Sequence, residues 1–114
     1  MTSPSGTETT ASFGDFWPTY LRAHADPRTR RVHYCGTAIG VGLLLCFIAG
    51  GGWWALIAAP IAGYAPAWTA HALFEHNKPA TFTHPLWSFA ADFRMAFLAA
   101  TGRLRAELDR AGVP

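Results

Sequence analysis

Between Val32 and Phe74 the chain carries no Asp, Glu, Lys or Arg, a run of 43 residues. No other feature limits the fold as tightly. A soluble domain needs a solvated charged face, and charged side chains are the ones that supply it. One membrane helix takes about 20 apolar residues, so the run has room for two with a turn between them. Gly50-Gly51-Gly52 supplies the turn, and Trp53 and Trp54 follow it. Glycines break helices, and tryptophans favour the membrane–water interface. The expected architecture is all-α: a membrane-embedded helical hairpin, about 34–50 and 53–74. Pro60 and Pro66 should kink its second arm. Gly36, Gly40, Gly42 and Gly63 are small enough to let the arms approach closely. The competing reading is a buried hairpin in a soluble all-α domain, but few polar residues are left to cover it. Composition agrees, because only 14% of the 114 residues are charged, against roughly 25% in an ordinary soluble domain.

The flanks give an orientation. Arg28, Arg30 and Arg31 precede the first arm, and Lys78, Arg94, Arg103, Arg105 and Arg110 follow the second, while the turn is uncharged. By the positive-inside tendency both termini face the cytoplasm. Residues 1–12 are small and polar and read as a disordered tail, with no signal-peptide pattern. The rest, 13–114, reads as one membrane-associated helical domain.

Two flanking amphipathic helices are expected. In the first, about 13–25, Phe13, Phe16, Trp17, Tyr20 and Leu21 share a face. Ser12 caps it, and Pro18 belongs in its first turns. Asp26-Pro27 reads as a turn. The second, about 86–110, carries an apolar stripe of Leu86, Phe89, Ala90, Phe93, Phe97, Ala100, Leu104 and Leu108, weakened at Gly102. It reads as interfacial or re-entrant. Cys35 and Cys46 lie about 16 Å apart along one helix, too far to pair, and read as buried free thiols. A net charge of +2 gives no reason to expect a nucleic-acid partner.

The histidines point to a site. His33 opens the first arm and His71 closes the second. At 1.5 Å per residue the arms are about 26 and 27 Å long, so the two imidazoles return to one level. His24 folds back to that level across Asp26-Pro27, and His76 and His84 lie on the same side. Glu75, four residues after His71, shares its face on an α-helix. Two histidines and a carboxylate with open positions form the ligand set of non-haem Fe(II) oxygenases, although imidazole also suits Zn, Cu and Ni. Each residue has a plainer reading. Interfacial histidines serve as anchors, Glu75 as a hydrogen-bond partner that fixes a tautomer, and Arg28, Arg30 and Arg31 as a basic anchor or carboxylate site. Asp92, ionisable on an apolar helix, is a functional candidate, to be paired with a histidine or with the arginine cluster.

Phe16-Trp17-x-x-Tyr20-x-x-x-His24, Arg30-x-x-His33-x-x-Gly36-Thr37 and His71-x-x-Phe74-Glu75-x-Asn77-x-Pro79-Ala80 together resemble the Mpo-type family of small membrane proteins. That family is named for the metabolism of phytosphingosine to odd-numbered fatty acids. Pro85-Leu86-Trp87-Ser88 and Asp92-Phe93-Arg94-Met95 resemble its short branch. The resemblance spans about 13–110. It implies an Fe(II)-dependent dioxygenase acting in the α-oxidation of 2-hydroxy fatty acids, with His24, His33 and His71 as metal ligands and Glu75 beside them. The expected partners are a long-chain 2-hydroxy acid, O₂ and the membrane, with an oligomer left open. The expected catalytic carboxylates are Glu75 and Asp92, and Arg28, Arg30 or Arg31 would bind the substrate carboxylate. A bacterial inner membrane is the expected location, or the endoplasmic reticulum in a eukaryote. The rival functions are a non-enzymatic membrane protein with a structural metal, and a haem held by two histidines such as His33 and His71.

Overall fold

The computed structural model describes residues 11–114, so most of the expected N-terminal tail lies outside the described residues. The fold is all-α, with no strand among the described residues. Its helices are α1 (Phe13–Arg22), α2 (Pro27–Ile48), α3 (Trp53–Ala70), α4 (Pro85–Ala100) and α5 (Leu104–Ala111).

Helix α1 starts as its sequence predicts. Ser12 Oγ accepts from the Asp15 N–H at 3.2 Å, and Phe16, Trp17, Tyr20 and Leu21 form its buried face. Pro18 sits mid-helix rather than in the opening turn. Helix α2 begins well before residue 34. Asp26-Pro27 is a helix start, not merely a turn: Asp26 Oδ1 accepts from the Arg28 N–H at 2.8 Å, and proline fits the first helical position, where no donor is needed. Arg28, Arg30, Arg31 and His33 therefore all ride on one rigid helix.

The glycine turn closes the hairpin by a helix-ending motif. Gly50 N–H donates to the Phe47 carbonyl at 3.0 Å and Gly51 N–H to the Cys46 carbonyl at 2.8 Å, which satisfies carbonyls the helix end would orphan. Gly50 and Gly52 have φ of +95° and +101°, where a side chain is strained. A Cβ at Gly51 would stand 2.4 Å from Cys46 Sγ. All three positions thus need glycine.

The arms pack through small residues, as expected for Gly36, Gly40 and Gly63. A Cβ on Gly36 would meet the Gly63 carbonyl at 3.0 Å, and one on Gly40 the Ala59 carbonyl at 3.2 Å. Gly42 takes no part, since it is exposed and nothing lies within 4 Å of its Cβ position. Cys35 is exposed rather than buried, Cys46 is half-buried, and both are free. Large apolar side chains of the arms point outward; Ile48, Trp53, Ile57 and Ile61 are all at least 60% exposed. Of the described helices, α2 is the one both long and apolar enough to cross a membrane.

The expected single helix 86–110 is two helices. Arg103 N–H reaches the Leu98 carbonyl at 2.8 Å across Gly102 at φ +73°, the same helix-ending motif. The predicted apolar stripe is split: Leu104 and Leu108, on α5, are buried, but its α4 part faces outward. Leu86, Phe89, Phe93 and Phe97 are exposed, and α4 buries Ser88, Ala91, Asp92, Met95 and Leu98. That second face matches the helical period just as well but mixes Ser88, Ala91 and Asp92 with Met95 and Leu98, so hydrophobicity alone selects the other side. The main core joins α1, α4 and α5: Phe16, Trp17, Tyr20 and Leu21 pack with Met95, Leu98, Leu104 and Leu108. Trp17 Nε1 donates to Glu107 Oε1 at 2.8 Å and ties α1 to α5.

Candidate metal centre

Three histidines from three segments meet where the hairpin joins the bundle. His24 ends the α1 connection, His33 lies on the second turn of α2, and His71 follows α3. All three are buried. Their Nε2 atoms form a triangle with sides of 3.2 Å (His24–His33), 3.4 Å (His33–His71) and 3.0 Å (His24–His71). The rings meet nearly edge-on, with interplanar angles of 76°, 83° and 89°.

The outward nitrogens decide what the inward ones can do. His24 Nδ1 lies 2.6 Å from the Tyr20 carbonyl. A carbonyl only accepts, so Nδ1 carries the proton and Nε2 a lone pair. Asn77 Nδ2 donates to the Ala23 carbonyl at 3.2 Å, which turns Asn77 Oδ1 toward His71 Nδ1 at 2.7 Å; His71 Nδ1 is again the donor. His33 Nδ1 faces Asp92 Oδ1 at 3.5 Å, and Tyr20 OH donates to that same oxygen. His24 and His71 thus turn Nε2 lone pairs toward one point, which His33 Nε2 also faces. Burial first, and then the facing imidazoles of His33 and His71, hold His24 well below the ordinary histidine range, so it stays neutral at pH 7.

Three imidazole nitrogens that converge this closely can share one cation. Nitrogens bound about 2.0–2.1 Å from one ion stand about 2.8–3.4 Å apart at cis-octahedral to tetrahedral angles. The observed triangle falls inside that interval, so the donor set fits a metal. The outward partners are those that orient ligating histidines in metal sites.

Several neighbours were not evident from spacing. Tyr20, expected only as part of an apolar face, supplies both the carbonyl for His24 and the hydroxyl for Asp92. Burial, then the Asp92 carboxylate, pushes its phenol well above the ordinary range, so it remains a donor. Asn77, expected only to bound a loop, orients His71. Thr29 is fully buried one turn before His33, and its Oγ1 has no hydrogen-bond partner among the described residues. The signal available was the motif itself, which contains Tyr20 and Asn77.

The other sequence candidates fall elsewhere. Glu75 does not join the triad; its Oε2 accepts from the Asp26 N–H at 2.8 Å and pins the start of α2 to the segment after α3. His71–Glu75 is a wide π turn, so the α-helical spacing assumed for that pair does not apply. Asp92 stands behind His33 rather than among the Nε2 atoms. Arg94 lies 4.6 Å over the Trp17 ring instead of pairing with Asp92. Arg28 pairs with Asp26 at 2.8 Å and lies 4.2 Å over Phe74. Arg30 is buried and donates to the His24 and Ala25 carbonyls at 2.7 and 3.0 Å, which shapes the loop that carries His24. Arg31 lies two residues before His33, about 200° round the helix. None of these guanidiniums is brought into the triad. His76 is exposed, and His84 stacks on Trp87 at 5.3 Å.

Fold and site together define a small all-α protein with a buried, preorganised three-histidine cluster. The chain belongs to the family described as 2-hydroxy-palmitic acid dioxygenase Mpo1-like, whose profile matches residues 10–104. No curated protein and no solved structure matches it significantly.

Proposed function

We propose that the protein is an Fe(II)-dependent dioxygenase that shortens a 2-hydroxy fatty acid by one carbon at a membrane surface. The observation that carries this reading is the convergence of three buried Nε2 lone pairs in a chain of this family. His24, His33 and His71 would hold the metal. When bound, Fe(II) supplies a site for O₂ activation and for a chelating 2-hydroxy acid. The reaction balances without an outside reductant: the 2-hydroxy acid and O₂ give the acid one carbon shorter, CO₂ and water.

The chain's own groups hold the protons. The Tyr20 carbonyl and Asn77 keep a proton on Nδ1 of His24 and His71, so their Nε2 atoms remain ligands, and Asp92 stands beside Nδ1 of His33. Tyr20 OH shares the Asp92 carboxylate and keeps it aimed at His33. Burial of the cluster excludes bulk water. A haem between His33 and His71 fits poorly, because axial nitrogens on opposite faces of a porphyrin stand about 4 Å apart with the ring between them, whereas these stand 3.4 Å apart beside a third imidazole.

The outward apolar surface supports membrane residence. Ile39, Leu45, Ile48, Ile57 and Ile61 of the hairpin and Leu86 and Phe97 of α4 are all more than half exposed. A lipid environment would cover them. In that reading both termini and the histidine level face the cytoplasm, in a bacterial inner membrane, with Arg28 and Arg31 at headgroup depth.

The test pairs elemental analysis with turnover. Wild type should hold about one iron per chain, and His24→Ala, His33→Ala and His71→Ala should each lose it. Iron-loaded wild type under O₂ should convert 2-hydroxypalmitate to pentadecanoate. Stoichiometric iron without turnover of any 2-hydroxy acid would leave a structural metal as the reading.

A further inference from the structure

A groove of about 290 Å³ runs between α2, α3 and α4. It continues the face of α2 that carries His33. Gly36 and Thr37, then Gly40, then Leu44 follow one another along that face, and all line the groove. On the opposing arm Tyr64, Pro60 and Leu56 line it in turn, moving away from His71. Asp92, the carboxylate behind His33, also lines the groove, and the three histidines lie beyond it.

Polarity changes along the groove. Its polar side chains are Thr37 and Asp92, near the histidines, and Tyr64 partway along; the foot is Leu44, Leu56 and Pro60. One lip is Phe89 and Phe93 of α4, 52% and 42% exposed, so the groove opens sideways onto the apolar surface. The small residues that bring the arms together also keep this floor clear of side chains. Leu44 lies eleven residues beyond His33, about 16 Å along the helix. One acyl chain occupies about 15 Å of depth, half of a bilayer's hydrocarbon core.

We propose that this groove seats the hydrocarbon tail of the 2-hydroxy acid, which enters sideways from the lipid, and that Leu44 and Leu56 at its foot set the chain length accepted. The proposal rests on the substrate reading above. Its occupant follows from where the groove begins: Asp92, which contacts His33, and Gly36 and Thr37, one turn past His33, line its polar end, and Leu44 and Leu56 line its apolar end.

The test uses full-length, iron-loaded protein in nanodiscs. Leu56→Trp fills the foot, and Leu44→Trp does so from the other arm should the first variant fold poorly. Turnover of 2-hydroxypalmitate should fall at least about tenfold in kcat/KM, while a 2-hydroxy acid of about ten carbons changes less than about twofold. Equal loss on both substrates, or no change on either, overturns the proposal. Binding supplies a readout apart from activity. Metal-free protein should bind the fluorescent polyene acid cis-parinarate, 2-hydroxypalmitate should displace it, and Leu56→Trp should weaken it about tenfold. Unaltered binding in Leu56→Trp, or equal displacement by phospholipid, overturns the groove assignment. Tail binding that Leu56→Trp blocks, in a wild type without turnover, upholds the groove and removes the dioxygenase reading alone.

Discussion

Where α1, α4 and α5 meet, large side chains turn inward, and Tyr20, Leu21 and Met95 are fully buried, although Leu86, Phe89, Phe93 and Phe97 of α4 face outward. In the α2–α3 hairpin they turn outward, and the contact between the arms is made by Gly36, Gly40, Ala59 and Gly63. The bundle is built as a water-soluble protein is built, by removing apolar area from water. The hairpin is built as membrane helices are, by close approach of small residues. The histidine cluster lies at the seam, with two ligand candidates on the arms of the hairpin, one on the α1 connection, and orienting groups from α1 and α4. In the proposed reading, the head of the substrate lies at that seam and its tail along the hairpin.

The contrast can be broken by substitution. The largest effect is expected in the bundle core. Met95→Ala should cost about 2–5 kcal/mol, because the neighbours collapse only partly into the space left. Chemical denaturation in one detergent measures it, and a cost below about 1 kcal/mol would mean that the bundle is not a packed core. Next comes the seam. Asp92→Ala removes the partner of His33 Nδ1 and should weaken metal binding about 10–100-fold in competition with a chelator. Unchanged affinity would show that Asp92 does not orient that ligand.

A smaller effect is expected where the hairpin begins. Asp26→Ala removes the cap of α2 and should lower Tm by a few degrees. Its acid dependence has a definite sign. Hydrogen bonding from Arg28 holds the Asp26 carboxyl down at about 2 instead of 3.8. A lowered folded value means that the charged form stabilises the fold, fully above about 3.8, with loss as pH falls toward 2. Comparing melts of wild type and variant from pH 5 to pH 2 should show the difference shrinking; a constant difference would remove the Arg28 contribution. The smallest effect belongs to the outer face of the hairpin. Ile61→Ala, at a position 60% exposed, should shift stability by no more than about 0.5 kcal/mol in detergent. A core-sized loss would mean that this face packs against protein, for example a second copy.

Much of the architecture could be read from the residues. The charge-free run marked the hairpin, the triple glycine its turn, and Gly36, Gly40 and Gly63 its contact. Boundaries were harder. Asp26-Pro27 carries a turn signal and a helix-start signal at once, and the capping hydrogen bond selects the second. On α4, Leu86, Phe89, Phe93 and Phe97 formed the more apolar stripe, yet the buried face is the one with Ser88 and Asp92. The exposed face of α4 is as apolar as a core face, so periodicity cannot tell inside from outside there. Glu75 and the arginines are the polar residues whose spacing suggested the site but whose partners lie elsewhere. At Glu75 the turn after His71 is wider than an α-helix, and the Arg30 guanidinium serves carbonyls of the His24 loop.

Sequence alone determined that His33 and His71 return to one level, because helical rise is a local property and the two arms have nearly equal length. It also determined that His24 lies within reach, nine residues from His33 across a cap. Only the tertiary structure decided which nitrogen each ring presents and which group faces its other nitrogen. Those facts depend on Tyr20, Asn77 and Asp92, groups brought in from α1, the segment after α3, and α4. Hydrogen bonding acts over about 3 Å, and no regularity of spacing along one helix specifies which distant side chain will arrive there.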